Sequence, residues 1–521
     1  MVRKLICWLL MLVSILPRHS IAAGNADHVV LIVWDGMRPD FIQQDLTPTL
    51  YALARSGVLY ENHHSIYCTA TEVNGTALAT GVYPERSGII ANRMYLPHIN
   101  PLRAVDVQDS AVVRKGDGLS DGHYLLCPTL AEILQSAGKR TAIAGTKQVA
   151  MLHDRRDRTA DSTPGTSLFE GKTLPPTALE SITNLLGSFP SGAVARSTSA
   201  NEARDRWTTR ALLESLWSNG VPTFSLLWLS EPDFSQHAAG PGSPKALAAL
   251  KSSDSCLAEV LAELEKRGVR SKTDVFVVSD HGFSTVQSSI DLAKTLQAAG
   301  FNARREFQSP LTSGDILVAG QGGSALLYVG NHDNVVVQKL VNFLQSQDFS
   351  GPLFTREKMD GTFTLDAAKL YVPGAPDVVM SMRWSNRTNG YNAPGMLIPD
   401  GSLAPGGGTH ASLSRFDLHN TLVGAGPDLK RGYTDRMPTG NADLAPTILW
   451  LLGVEPPTPL DGRVLGESLA VSAPKLPKPN TQVLKAERRS SNGIWRQYLT
   501  ITSVGGTVYL DEGNAQRTPE R

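Results

Sequence analysis

Three short apolar runs along the chain each end in polar side chains. Residues 29–34, 222–229 and 274–279 are almost continuously apolar, which is typical of strands buried on both faces of a parallel sheet. Helix-like segments such as residues 47–56 lie between them. Strands that alternate with helices favour an α/β fold, a three-layer α/β/α sandwich with a mostly parallel central sheet. Ligands of open α/β sheets bind beyond the carboxyl ends of the strands, so we expect a functional site where these strands end.

Carboxylate and imidazole side chains stand at these strand ends or in turns. In chain order they are Asp35, Asp233, His237, Asp280, His281 and His410. Aspartate oxygen and histidine nitrogen form the ligand mixture that zinc favours. Asp233 and His237 are four residues apart and share one face if their segment is helical. A lone histidine in a glycine-rich loop, such as His410, is usually solvated, so its interpretation as a ligand depends on the other members.

Residues 71–80 have the pattern of a helix that begins at Thr71 and ends before Gly81. A threonine at a helix N-terminus is usually only a cap. Free backbone N–H groups and the positive end of the helix dipole would also favour a bound phosphate and ease formation of the Thr71 alkoxide. Thr71 is therefore a candidate nucleophile and a seventh candidate ligand. Seven such groups are enough for two metal ions that clamp both ends of a phosphoryl transfer.

The motifs around these residues resemble the alkaline phosphatase superfamily, and within it the type I phosphodiesterase/nucleotide pyrophosphatase family. The markers are residues 31–40, 71–74, 80–92, 280–282 and 442–449, together with Asp233, His237 and His410. The resemblance implies two zinc ions, one held by Asp35, Thr71, Asp280 and His281 and the other by Asp233, His237 and His410. It also implies that Thr71 attacks phosphorus to form a phosphorylated or nucleotidylated intermediate. Asn92 would then donate a hydrogen bond to a nonbridging phosphoryl oxygen.

Two departures from the family's pattern leave the substrate open. The usual Thr-Phe-Pro-Asn is Thr71-Glu72-Val73-Asn74 here, and Glu72 would repel a polyphosphate unless it points away or pairs with a cation such as Lys147. Similar monoesterases and phosphonate hydrolases carry two basic side chains two residues apart, whereas Lys147 is followed by Val149. One cation fewer favours diesters modestly, because a monoester carries an extra negative charge. Lys147 is equally compatible with a solvated surface lysine.

The resemblance, together with the missing second cation, makes a phosphodiesterase or nucleotide pyrophosphatase the expected function, with a phosphomonoesterase or phosphonate hydrolase as the alternative. A sulfatase shares the general fold but requires a Cys/Ser-x-Pro-x-Arg motif, and residues 68–72 lack both the proline and the arginine. A catalytically inactive metal-binding protein is a weaker hypothesis, because the ligand set and the nucleophile are both complete. If the purified protein contains no bound zinc, even after zinc supplementation, the inactive protein is favoured over the enzymes.

Composition and the first residues predict the compartment. The 521 residues include 49 basic and 49 acidic side chains, so there is no charge bias toward a nucleic-acid polymer, and we expect a small phosphate ester as substrate. Residues 1–22 resemble a signal peptide, with Arg3 and Lys4 before the apolar run 5–16 and cleavage expected after Ala22. That run is shorter than the roughly 20 residues that span a bilayer. We therefore expect a periplasmic or secreted protein without a stable membrane anchor.

The spacing of the motifs also divides the chain. Residues 23–300 and 400–473 would form the catalytic core, and residues 301–399 an inserted cap, because the interval between His281 and His410 is too long for a loop. In similar proteins such an insertion covers the metals, which makes Tyr371 and Trp384 candidate walls of a leaving-group pocket. Residues 474–521 would form a linker and a terminal β-hairpin. The oligomeric state stays open.

Three cysteines remain after the expected cleavage, namely Cys68, Cys127 and Cys256. An odd number in an oxidising compartment allows one disulfide at most. A bond between Cys68 and Cys127 and a set of free thiols are equally compatible with the sequence.

Overall fold

The computed structural model describes residues 24–156, 165–190, 198–470, 477–490 and 493–518. The expected signal peptide and its cleavage site after Ala22 lie outside the described residues. Within the described residues, no helix combines the length and the apolar character that crossing a bilayer requires.

A nine-stranded sheet forms the centre of the described chain. In spatial order its strands are Tyr433–Asp435, Val58–Tyr60, Leu422–Ala425, Thr273–Val278, His28–Trp34, Phe224–Leu229, Thr141–Gly145, Gly165–Phe169 and Lys172–Leu174. Five of its eight neighbouring pairs are parallel, and the antiparallel pairs involve Leu422–Ala425 and Lys172–Leu174. The predicted mostly parallel sheet is confirmed.

Side chains of the central strand His28–Trp34 alternate between the two faces of this sheet. One face receives Val29, Leu31 and Val33, and the other receives Val30, Ile32 and Trp34. The first face is covered by the helices Thr71–Thr80, Ser110–Leu119, Leu130–Ser136 and Leu444–Leu451. The second is covered by Pro48–Ser56, Ala178–Leu186, Thr198–Arg210 with its continuation Ala211–Leu216, and Pro244–Lys266. Because both faces are buried under helices, the fold is the predicted three-layer α/β/α sandwich.

A second sheet lies inside the segment 301–399, which the sequence assigned to an inserted cap. In spatial order its strands are Asn302–Arg304, Asp315–Gly320, Ser324–Val329, Val378–Met382, Ser350–Thr355 and Phe363–Thr364. The helices Leu292–Ala298 and Asn334–Leu344 pack against it. A four-stranded sheet of Trp384–Thr388, Pro394–Leu397, Ser284–Val286 and Gly408–Thr409 connects this segment to the loop of His410.

The last described residues form an antiparallel sheet of three strands. These are Asn480–Ser490, Gly493–Val504 and Thr507–Thr518, so the predicted hairpin has a third strand at its edge. The sheet packs on the rest of the protein: the Trp384 indole donates a 2.7 Å hydrogen bond to the Gly513 carbonyl, and the Tyr509 hydroxyl donates at 2.8 Å to Asp443. Trp384 is therefore buried against the terminal sheet, and its role as a wall of a leaving-group pocket stays a prediction.

The three described cysteines are free thiols. Cys68 and Cys256 are buried, and burial raises the pKa of each thiol to about 12. The structure therefore contains free thiols and no disulfide between Cys68 and Cys127.

Candidate active site

The three central strands deliver their polar side chains to one edge of the sheet. Asp35 directly follows His28–Trp34, and Asp280 follows Thr273–Val278 after one residue. Both neighbours of His28–Trp34 run parallel to it, so the carboxyl ends coincide. The helix Asp233–Ala239 begins four residues beyond Phe224–Leu229, and its first turn places Asp233 Oδ1 3.3 Å from His237 Nε2. This segment is helical, as a shared metal site requires.

The three candidate imidazoles are held in the same way. Each Nδ1 atom lies within hydrogen-bond distance of a backbone carbonyl. The pairs are His237 with Gly408 at 3.0 Å, His281 with Gly282 at 2.9 Å and His410 with Thr69 at 2.8 Å. A carbonyl only accepts, so Nδ1 carries the proton in each ring and Nε2 keeps its lone pair. This is the tautomer that a metal-binding histidine requires.

Three buried carboxylates present an oxygen without a hydrogen-bond partner among the described residues. These atoms are Asp35 Oδ1, Asp233 Oδ1 and Asp280 Oδ2. The other oxygens are satisfied: the Trp228 indole donates to Asp35 Oδ2 at 2.9 Å, and the Gly36 amide donates to Asp280 Oδ1 at 2.9 Å. An unpaired buried carboxylate oxygen is costly, and it faces imidazole lone pairs here. The unpaired oxygens and the imidazole lone pairs are therefore donors that fit a metal cation.

The ligand atoms form two overlapping groups whose members lie within 4.8 Å of one another. The groups are Asp233 with His237 and His410, and Asp35 with Asp233 and His281. The first matches one predicted set, whereas in the second Asp233 stands where Asp280 and Thr71 were predicted. Both of those remain close, because His281 Nε2 is 3.2 Å from Asp280 Oδ2 and 3.3 Å from Thr71 Oγ1. All seven predicted ligands thus meet at one place, with Asp233 between the two groups.

Lys147 lies inside this cluster. Its ammonium is 2.8 Å from Asp35 Oδ2 and 2.7 Å from Asp233 Oδ2, and its side chain is only 11% exposed. Burial alone would lower the pKa of Lys147, but the two carboxylates outweigh burial and raise it. The hypothesis of a solvated surface lysine is wrong, because this lysine compensates part of the negative charge of the site.

Thr71 is the first residue of the helix Thr71–Thr80, and its side chain is buried beside His281. The amide N–H of the next residue, Glu72, donates at 3.0 Å to Asn92 Oδ1. Asn92 therefore contacts the N-terminus of the helix Thr71–Thr80 through its oxygen, which leaves its side-chain N–H groups for another acceptor.

Glu72 is nearly fully buried, and its Oε2 atom has no hydrogen-bond partner among the described residues. Burial, followed by the nearby Asp106, raises the pKa of Glu72 well above its usual range, although Lys147 acts in the opposite direction. The ammonium of Lys147 pairs with Asp35 and Asp233 instead. Burial thus favours the neutral form of Glu72, which weakens the repulsion expected from a carboxylate beside Thr71.

Two further side chains position the site, and no motif in the sequence identified either role. Asn441 donates at 2.7 Å to the Asp280 carbonyl and at 2.9 Å to Asn74 Oδ1. These two hydrogen bonds join the end of the strand Thr273–Val278 to the helix Thr71–Thr80. Gln321, in the insertion, accepts from the backbone N–H that follows Asn92 at 3.0 Å and donates to the carbonyl of the same residue at 2.8 Å. Asn441 directly precedes the motif 442–449, which is the only signal that could have marked it.

An α/β sandwich with carboxylates and imidazoles gathered at the carboxyl ends of its central strands defines an alkaline phosphatase-like protein. Comparison with known families makes this specific. Residues 29–410 match the model of the type I phosphodiesterase / nucleotide pyrophosphatase family, and the chain belongs to that family. The resemblance inferred from the motifs is confirmed.

Relatives of known name are distant. Bis(5'-adenosyl)-triphosphatase from Mus musculus is 24% identical over 282 residues, which are 54% of this chain and 52% of that protein. Ectonucleotide pyrophosphatase/phosphodiesterase family member 3 from Mus musculus is 25% identical over 265 residues, which are 50% of this chain and 25% of that protein. The matched part of the chain thus spans about half, or less, of these relatives.

Among solved structures, murine ectonucleotide pyrophosphatase/phosphodiesterase 5 matches with a TM-score of 0.59 and 17% identity, covering 85% of this chain and 100% of that chain. An inactive variant of the same murine protein, in complex with AMP, matches with a TM-score of 0.59. This likeness confirms the fold.

Proposed function

We propose that this protein is an exported phosphodiesterase or nucleotide pyrophosphatase that uses two zinc ions and Thr71 as nucleophile. One observation carries the proposal: three buried carboxylate oxygens without partners face the Nε2 lone pairs of three imidazoles, beside a helix that begins at Thr71. Such a cluster is stable only with added positive charge, and its oxygen and nitrogen donors suit zinc.

The candidate ligands divide between two ions. One ion would be held by Asp233, His237 and His410, and the other by Asp35, Thr71, Asp280 and His281. When bound, two such ions stabilise the negative charge on the attacking and leaving oxygens of an in-line displacement.

Thr71 performs the first displacement. Its Oγ1 forms a bond to phosphorus while the bond from phosphorus to the leaving oxygen breaks, which produces a phosphorylated or nucleotidylated Thr71. Water then cleaves this ester and restores the hydroxyl. The helix N-terminus favours negative charge at Thr71 Oγ1 throughout.

Asn92 contacts the phosphoryl group in this proposal. Its oxygen is occupied by the backbone N–H of Glu72, so its N–H groups are the part that can donate to a nonbridging oxygen. One such donor in a buried site contributes roughly 3 kcal/mol to transition-state stabilisation, or about a hundredfold in rate.

Among the described residues, the position two after Lys147 carries no second cation, which favours a diester. Val149, which stands where a second basic residue would be needed, is fully buried, and its side chain lies against the backbone of Gly75 in the nucleophile helix. Lys147 would be the one cation of this pair that contacts the substrate, and the raised pKa of Glu72 weakens its repulsion of a phosphate. The runner-up, a phosphomonoesterase or phosphonate hydrolase, requires a further cation near the phosphoryl group.

The substrate class follows from the family and its named relatives. One relative is a bis(5'-adenosyl)-triphosphatase, and the structurally similar murine protein binds AMP. A nucleotide ester or anhydride that yields a nucleoside monophosphate is therefore the first natural substrate to test. Export to the periplasm or the medium rests on the pattern of residues 1–22 and is tested by the N-terminal mass of the mature protein.

Turnover of bis-p-nitrophenyl phosphate relative to p-nitrophenyl phosphate, with zinc-loaded protein, tests this function. We expect a strong preference for the diester. Thr71→Ala should abolish turnover with little change in folding, and Thr71→Ser, which keeps a hydroxyl, should retain part of it. A monoester preference would instead support the runner-up, and activity of Thr71→Ala equal to that of the wild type would refute the covalent route.

A further inference from the structure

A second group of metal-binding side chains lies at the boundary between the core and the terminal sheet. It consists of His64, His419 and Asp511, which we call the junction cluster. His64 lies on the strand His63–His64, and His419 directly follows the helix Arg415–Leu418. Asp511 belongs to the strand Thr507–Thr518. One ligand atom from each lies within 4.8 Å of the other two, and none of the three is among the seven ligands of the candidate active site.

The tautomer of His64 makes this cluster unusual. His64 Nδ1 is 2.9 Å from the Thr439 carbonyl, which can only accept, so Nδ1 carries a proton. The neutral ring then has a lone pair on Nε2, and that atom is 3.0 Å from Asp511 Oδ1. Two acceptors at this distance repel each other unless a proton or a metal ion lies between them. The side chain of His64 is 1% exposed and that of Asp511 is 19% exposed, so water screens the repulsion only weakly.

His419 contributes a further neutral imidazole. Its ring hydrogen-bonds to the backbone of Asp511, and its centroid is 4.5 Å from that of His64. A neutral ring with one N–H directed to backbone keeps the other nitrogen as a ligand, which is the arrangement of the three histidines of the candidate active site.

Asp511 supplies the negative charge. Its second oxygen accepts a 2.7 Å hydrogen bond from the Thr502 hydroxyl, which orients the carboxylate toward His64. Two imidazoles and one carboxylate, each with a hydrogen-bonded partner, form a complete ligand set for a divalent transition metal.

We propose that His64, His419 and Asp511 bind a third divalent metal ion, zinc by its ligand set, which joins the terminal sheet to the catalytic core. Ligands of a tetrahedral zinc ion, with bonds of about 2.0–2.1 Å, stand roughly 3.3 Å apart, close to the 3.0 Å between His64 Nε2 and Asp511 Oδ1. A cavity of about 30 Å³, large enough for one water molecule, lies beside His64.

The role of this site is structural, because its ligands come from chain segments far apart in sequence. His64 and Asp511 are separated by 447 positions, and His419 comes from a third segment. An ion that binds all three restrains the strand Thr507–Thr518 against the core. The alternative is a bridging proton, which would make His64 and Asp511 a buried ion pair without metal.

Zinc content separates the two possibilities. The full-length mature protein is stripped with a chelator, reloaded with zinc chloride, passed through a desalting column and measured by mass spectrometry of the metal. Asp511→Asn is nearly isosteric and should hold one zinc fewer per chain than the wild type. Its matched control is Glu512→Gln on the same strand, whose carboxylate instead contacts Tyr498 and Arg415, and it should hold as much zinc as the wild type.

A second variant keeps the test decisive if Asp511→Asn does not fold. His419→Gln should also hold one zinc fewer, while turnover of bis-p-nitrophenyl phosphate stays within about twofold of the wild type. Equal zinc content in the wild type, Asp511→Asn and His419→Gln would overturn the proposal and assign a bridging proton.

This inference can fail independently of the proposed function. His237→Ala removes a ligand of the candidate active site only, so the double variant His237→Ala with Asp511→Asn should hold two zinc ions fewer than the wild type. A deficit confined to His237→Ala would overturn the junction cluster alone. A deficit confined to Asp511→Asn would support the junction cluster and refute the two-zinc active site.

Discussion

Replacement of Lys147 by methionine should destabilise the metal-free protein far more than the zinc-loaded protein. Methionine has nearly the length of lysine but no charge. In the structure the Lys147 ammonium is 2.8 Å from Asp35 and 2.7 Å from Asp233, and both carboxylates are almost fully buried. Without metal ions, Lys147→Met leaves these two carboxylates without the cation that compensates them.

The expected magnitude follows from that burial. Removal of one partner from a buried ion pair costs about 3–5 kcal/mol, because an uncompensated charge stays in the interior. In the zinc-loaded protein the same carboxylates have another source of positive charge, so the loss should stay below about 1.5 kcal/mol, the upper range for a typical hydrogen bond.

Urea unfolding followed by tryptophan fluorescence measures both values, with chelator-treated and zinc-loaded samples of each protein. Lys251→Met, on the exposed side of the helix Pro244–Lys266, is the matched control and should change neither form. An equal loss of stability in the two forms of Lys147→Met, or no loss in the metal-free form, would show that Lys147 does not compensate the site.

Three further predictions concern other parts of the molecule. His237→Ala should hold one zinc fewer than the wild type by metal analysis, because loss of a direct ligand sharply weakens binding; unchanged zinc would exclude His237 as a ligand. Gln321→Ala should lower kcat/KM for the diester about tenfold with unchanged zinc, because the loop of Asn92 loses two hydrogen bonds; unaltered kinetics would contradict this role. Burial and the neighbouring Asp428 raise the pKa of Asp274 to about 8, above its unfolded value, so the native state binds more protons between about pH 4 and pH 8 and stability falls as the pH rises through this range. In Asp274→Asn, the free energy of unfolding, measured with urea between pH 5 and pH 8, should fall less steeply with pH than in the wild type, by at most about 1.4 kcal/mol per pH unit. An unchanged slope would exclude Asp274 as its source.

Short-range patterns determined the fold class and the gathering of the candidate ligands. Continuous apolar runs identify strands buried on both faces, and parallel strands bring their carboxyl ends to one edge of the sheet. Asp35 and Asp280 follow two neighbouring parallel strands, so their positions along the chain predict that they lie close together. Asp233 and His237 share a helical face for an equally local reason.

Which groups compensate the negative charge of that site, and which hold its side chains in position, depends on the packing of distant segments. Lys147 was predicted from its place in the chain, but its contact with Asp35 and Asp233 depends on the packing of three separate strand ends. The raised pKa of Glu72 results from burial, which a sequence does not specify residue by residue.

The same holds for contacts between distant segments. Gln321 reaches the loop of Asn92 across 228 positions, and His64 meets Asp511 across 447. No periodicity extends over such distances, because each side chain follows the pattern of its own helix or strand. The sequence alone therefore determined which chemical groups reach the edge of the sheet, whereas their partners were decided by the packing of the inserted segment and the terminal sheet on the core.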